Sequence, residues 1–256
     1  SRDWSSDVCS SDLSTGVIAN SASGTPTQLQ IGTSGNTGTV ILGNASANST
    51  YSGGTTVNAG TLKAGSSYAP FGTNTVTVAS GASVDVNGQT VANNITLEGT
   101  GVGGYALFNS NASAGTVSGG ITLANSATIG GSNPVNISGV ISGASKALTI
   151  AGTSTVTLTN TETYTGATTI NSGATLSLGD GTTAGTLDSA SAITDNGTLT
   201  FNAPANVTYA GVLSGTGVVN KLGTGILTLG NSSSNSTYSG GTTVNAGTLK
   251  AGSSYA

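Results

Sequence analysis

The sequence predicts an all-β fold, a right-handed parallel β-helix (β-solenoid) built as a single elongated stack of coils. Three observations carry that expectation. First, Asn48 to Ala69 (NSTYSGGTTVNAGTLKAGSSYA) recurs letter for letter as Asn235 to Ala256. Fixed-length self-similarity of this kind marks a stacked repeat. Second, short apolar–polar–apolar triplets run along the chain. Third, the composition suits strands joined by tight turns and little else. Of 256 residues only 5% are charged, with 5 Lys+Arg against 9 Asp+Glu and no His or Met. Ordinary domains carry about 25% charged residues. Disordered chains are highly charged and poor in β-branched residues, whereas this one is rich in Val, Ile and Thr.

The triplets come in order as Val76-Thr77-Val78, Val84-Asp85-Val86, Ile95-Thr96-Leu97, Ile121-Thr122-Leu123 and Leu148-Thr149-Ile150. They continue as Val156-Thr157-Leu158, Leu176-Ser177-Leu178, Leu199-Thr200-Phe201 and Leu227-Thr228-Leu229. Alternation with period two turns the aliphatics inward and the Thr or Ser outward. Turn signals such as Ser80-Gly81, Asn87-Gly88, Gly130-Gly131 and Asn196-Gly197 separate them. No stretch shows the 3.6-residue period of an amphipathic helix. Strands this short bury enough surface only when stacked at about 4.8 Å, coil on coil. About 20–25 residues per coil gives about ten coils and about 50 Å of length. The crossover rule favours a right-handed coil. A string of β-sandwiches is the alternative architecture, and the irregular triplet spacing counts against it.

Ser1 to Leu13 (SRDWSSDVCSSDL) differs from everything downstream. It holds the only Trp (Trp4), the only Cys (Cys9) and the only Arg (Arg2). Back-translated, Asp3 to Leu13 resembles a common sequencing-library adapter, so residues 1–13 are read as a non-native segment and excluded from fold reasoning. Cys9 is accordingly not assigned as a nucleophile or metal ligand. Residues 14–256 are read as a solenoid fragment truncated at both ends, with repeat blocks near 38–65, 151–179 and 221–252. The middle block is a diverged copy, with Tyr164-Thr-Gly in the place of Tyr51-Ser-Gly and Tyr238-Ser-Gly. Gly60, Gly173 and Gly247 hold equivalent positions and are expected in turns with positive φ. Leu42 to Tyr51 and Leu229 to Tyr238 are three residues longer than Leu158 to Tyr164, which marks an exposed, Asn/Ser-rich turn.

Few residues here carry chemistry. Without His, neither a Ser-His-Asp nor a Cys-His arrangement is possible, and zinc lacks its usual ligands. The net charge of −4 excludes a basic nucleic-acid surface. No apolar run is long enough to span a bilayer. Asp180, Asp188 and Asp195 are the closest grouping of acids, and a turn-rich stretch accounts for them as well as a paired-carboxylate site does. Lys63 and Lys250, at one repeat position, and Lys221 are read as solvated surface residues. Tyr51, Tyr164 and Tyr238 are able to stack on sugar rings, but packing over a coil edge is the preferred reading. The Thr-x-Thr sets at Thr75/Thr77 and Thr155/Thr157/Thr159 are similar to ice-binding faces but lack constant spacing along the sequence. No catalytic, cofactor-binding or metal residue is assigned, and no cofactor.

At the repeat blocks the chain resembles the autotransporter passenger-associated repeat. Lys221-Leu-Gly-Thr-Gly-Ile-Leu-Thr-Leu229 matches that family's lead-in, and Asn235 to Leu249 and Asn48 to Leu62 match its core. Thr163 to Leu176 departs from it at Ala167 and Ile170 and by one added residue. The resemblance implies a type V secreted, non-enzymatic surface passenger, a stalk or adhesin acting in adhesion, autoaggregation or biofilm formation. It implies the bacterial cell surface or exterior, attached to or released from the outer membrane. A C-terminal β-barrel translocator would lie outside this stretch, and partners would be a second copy or a host or glycan surface. The alternatives are a β-helical carbohydrate-active enzyme, which a charged cluster on one face would favour, and a spacer presenting a functional tip located elsewhere.

Overall fold

The computed structural model describes residues 2–3, 18–21, 24–43, 47–230 and 235–252. Of the segment 1–13 only the backbone of Arg2–Asp3 is described, paired with Leu29–Gln30. Trp4 and Cys9 lie outside the described residues, as do parts of the Asn/Ser-rich turns, 44–46 and 231–234.

Every strand pair is parallel, as the triplet pattern requires and a string of sandwiches does not. The strands form faces that run along one stack. The first face stacks Leu29–Ile31, Thr55–Val57, Val76–Val78, Ile95–Gly99, the start of Ile121–Gly131, and Ile141–Ser142. The second runs from Thr39–Leu42 through Gly60–Ala64, Ala82–Asp85, Leu107–Phe108 and the end of Ile121–Gly131. It continues with Leu148–Gly152, Thr168–Ile170, Ile193–Asp195 and Leu213–Ser214. The third stacks eight strands from Thr90–Val91 to Thr242–Val244. First-face pairing stops after Ile141–Ser142. In chain order the same position is taken up again by Val207–Tyr209, Ile226–Leu229 and Thr248–Ala251.

Paired residues are 19 apart between Val76 and Ile95 and 26 apart between Leu97 and Leu123. Corners therefore absorb length differences while the strands keep register. The inward side chains form continuous rows. On the second face Leu62, Val84, Leu107, Ile129, Ile150 and Ile170 stack in line, all fully buried. Each such side chain contributes about 1.5–3 kcal/mol on burial. That is why strands mostly of two to five residues persist when stacked.

Each repeat block is a strand–turn–strand corner. Gly60, Gly173 and Gly247 sit in that turn at φ 76°, 87° and 70°, as expected. The blocks do not share a face. Thr55–Val57 and Gly60–Ala64 run from first face to second; Thr168–Ile170 and Thr175–Leu178 run from second to third. Thr242–Val244 and Thr248–Ala251 run from third to first. The repeat encodes a corner, and the number of coils between copies decides which corner.

Candidate interaction surface

Outward side chains form rows as regular as the core rows. Gln30, Thr56, Thr77, Thr96, Thr122 and Ser142 stand in line on the first face. Thr128, Thr149, Thr169, Thr194 and Ser214 do so on the second. Thr90, Thr116, Asn136, Thr157, Ser177, Thr200, Asn220 and Thr243 line the third. The hydroxyls of Thr56, Thr77, Thr96 and Thr122 have no hydrogen-bond partner among the described residues. Two shallow grooves of about 340 and 230 Å³ meet at Thr75 along this first-face row, and no charged side chain lines either. An uncharged row repeating at about 4.8 Å offers many weak hydrogen bonds to an extended partner.

Outside this surface the residues that promised chemistry do structural work. Asp180 accepts hydrogen bonds from Thr182 N, Thr182 Oγ1 and Thr183 N, which hold its carboxyl below the usual range. Asp188 caps Ala190 N and Asp195 caps Gly197 N. Asp180 is exposed in a turn after a third-face strand, whereas Asp195 is buried on the second face. The three do not converge, and no group of three potential metal ligands exists among the described residues.

Tyr51 and Tyr164 are fully buried, so neither offers a ring to a sugar. Each hydroxyl instead bonds the Thr four residues on: Tyr51 to Thr55 at 2.6 Å, Tyr164 to Thr168 at 2.7 Å, and Tyr238 to Thr242 at 2.6 Å. Burial pushes the Tyr51 hydroxyl up to about 12. The Tyr-x-Gly-x-Thr spacing was the signal for this corner staple.

The passenger-associated-transport-repeat family matches residues 36–64, 148–178 and 219–251, the three corners just described. The chain carries three copies of that repeat. A 53-residue stretch is 53% identical to an adhesin BmaC autotransporter of Brucella suis biovar 1 (strain 1330). It covers 21% of this chain and 2% of that relative, so the chain spans a small part of the relative's length. No solved structure matches.

The lysines do not behave alike. Lys250 is exposed as expected. Lys63 is a quarter exposed and pairs with Asp85 at 3.3 Å, with Ser110 Oγ also within 2.8 Å. Lys221 overturns the surface reading. It is 2% exposed and stands in the inward third-face row between Phe201 and Val244. Its ammonium donates to the carbonyls of Gly223 and Ala246, and burial lowers its pKa. The alternation of the strand places position 221 inside, and carbonyls of the neighbouring turns make that tolerable.

The Thr-x-Thr reading also changes. Thr155/Thr157, Thr175/Ser177 and Thr198/Thr200 align in register over three coils although their sequence spacing differs. Register, not residue count, sets spatial spacing. Ser177 and Thr200 are nevertheless buried, so this double row is not an open face.

Proposed function

We propose that this passenger is a non-enzymatic, surface-exposed adhesive stalk, held outside a bacterial cell and binding through its uncharged hydroxyl rows. The carrying observation is the in-register line of outward Thr56, Thr77, Thr96 and Thr122 along two grooves that no charged side chain lines. Each hydrogen bond is worth about 1 kcal/mol or less net, and a solenoid multiplies it along its axis. Such rows meet a second copy without like-charge repulsion, which favours self-association and hence autoaggregation. The adhesin named among the relatives supports the same class. The scattered acids of the described residues count against the carbohydrate-active enzyme reading. Attachment to the outer membrane through a β-barrel elsewhere in the protein is part of this proposal.

The test is display of the chain on a non-aggregating bacterium, followed by settling and adhesion assays. Settling should be faster than for cells displaying the triple variant Thr77→Glu, Thr96→Glu, Thr122→Glu. Equal settling by both would remove these rows from the mechanism and leave the passenger a spacer.

A further inference from the structure

Five successive first-face strands satisfy their leading amide in one way. Leu29 N donates to Gly54 O, Thr55 N to Thr75 O, Val76 N to Asn94 O, Ile95 N to Gly120 O, and Ile121 N to Val140 O. Each acceptor is a main-chain carbonyl of the next coil. The sixth breaks the series: Ile141 N donates to a carboxylate oxygen of Glu162. First-face pairing ends at this point, and Thr161 contributes only an isolated bridge to Thr186.

The other copies of the repeat explain the position. Two residues before the corner tyrosine stand Ser49, Glu162 and Ser236. In the third block Ser236 Oγ accepts Leu213 N at 3.2 Å, the same plugging of a strand amide that Glu162 performs. In all three blocks the next residue donates to a carbonyl of the preceding coil: Thr50 to Ile18, Thr163 to Ile141, Thr237 to Leu213. The middle block has thus replaced a neutral hydroxyl plug by an acid, without changing the backbone arrangement around it.

That acid is in the wrong environment for its charge. Glu162 is 1% exposed, and its second oxygen, Oε1, has no hydrogen-bond partner. Among the described residues the one other buried side-chain atom of this kind is Asp195 Oδ2, in the next coil, where an acid follows Ile170 in the inward row. The titratable groups that interact with Glu162 are phenols: Tyr164, two residues along the chain, and Tyr209 through Tyr164. The nearest cation in the fold is Lys146, whose main chain packs against Gly166; it forms no ion pair with Glu162, and the ion pair of the described residues, Lys63–Asp85, lies several coils away. A buried, unpaired carboxylate costs far more than its protonated form.

We propose that Glu162 makes this coil junction a pH-responsive seam, closed when its carboxyl is protonated and loosened when it ionises. Burial pushes the Glu162 carboxyl from 4.5 to about 7. A group whose folded value is raised supplies its stabilisation fully below its unfolded value. That contribution is lost as pH rises through about 7. The junction is therefore tighter at pH 5 than at pH 8, the reverse of the usual ion-paired carboxylate.

Amide hydrogen exchange on the full chain at pH 5 and pH 8, corrected for intrinsic exchange rates, reads the seam at Ile141 and the segment 139–165. Protection there should fall across that range, on the order of tenfold to a hundredfold. The first-face amides of Val76 and Ile95 should show no such fall. Glu162→Gln, which cannot ionise, and Glu162→Ser, which restores the residue of the other two blocks, should both abolish the local pH dependence. Equal corrected protection at both pH values in the parent chain would overturn the proposal. So would an undiminished fall in both variants. The Asp195 carboxyl remains in every protein compared, so its own titration does not produce the difference.

Discussion

Tyr164 offers the sharpest test of the corner staple. Its ring is fully buried and its hydroxyl bonds Thr168 Oγ1, which in turn lies 2.9 Å from Ser191 Oγ. Tyr164→Phe keeps the ring and removes one hydrogen bond, while Thr168 retains Ser191. The expected cost is about 1 kcal/mol, toward the low end of the usual range. Tyr164→Ala also opens a ring-sized cavity beneath the coil, at about 3–5 kcal/mol. Tyr238 has the same Tyr-x-Gly-x-Thr spacing and a 2.6 Å bond to Thr242, but it is only partly buried and its hydrogen bond is exposed. There Tyr238→Phe should cost a few tenths of a kcal/mol, about the effect of an ordinary surface change. Urea titration of all three variants, followed by far-UV circular dichroism and by exchange protection of the coil concerned, supplies the comparison. Local protection matters because solenoid stability sums over coils. If Tyr164→Phe proved as damaging as Tyr164→Ala, the hydrogen bond rather than packing would dominate. If Tyr238→Phe equalled Tyr164→Phe, burial would not set the magnitude, and the reasoning would fail.

Gly60→Ala should destabilise by about 1–3 kcal/mol, because a β-carbon at φ 76° would overlap the carbonyl oxygen of Gly38. Gly173→Ala should cost less, its nearest neighbour being Gly152 O at 3.4 Å; thermal midpoints of the two variants check the order. Asp195→Asn should raise the unfolding midpoint at pH 7 and flatten its decline with rising pH, since burial raises that carboxyl's pKa. An unchanged pH profile would mean that the carboxyl does not titrate as its burial implies. Lys63→Ala should shift stability by less than about 1 kcal/mol, the pair being partly exposed. Asp85 keeps Asn87 N, Ser110 N and Ser110 Oγ as donors, so its carboxylate is not stranded. A loss of several kcal/mol in chemical denaturation would contradict that account.

Architecture was legible because the signals for it are local. Alternation in triplets such as Ile121-Thr122-Leu123 sets which side chains face in, and the burial pattern of that strand begins buried, exposed, buried. Positive φ at Gly60, Gly173 and Gly247 followed from their place after Asn-Ala or Asn-Ser. The outward rows were legible in kind, as hydroxyls opposite aliphatics, but not in alignment. Thr155, Thr175 and Thr198 are 20 and 23 residues apart, yet stack in register because corners absorb the difference. Lys221 was misread because its charge suggests solvent, while its position in the alternation points inward. Glu162 received no role from the sequence because the amide it plugs belongs to Ile141, a coil away.

The two identical segments separate what sequence alone determined from what tertiary structure decided. In both copies the same letters make a strand, a glycine turn and a second strand, and the same tyrosine bonds the same threonine. Those outcomes depend on neighbours within a few residues. Burial does not. Val57 is fully buried and Val244, its counterpart, is 46% exposed. Thr55–Val57 lies between Leu29–Ile31 and Val76–Val78, whereas Thr242–Val244 has a described strand on one side only. Nor do the copies share a face, since that depends on the length of chain wound between them. A side chain's alternation is written in its own strand; what covers it is supplied by residues about twenty positions away.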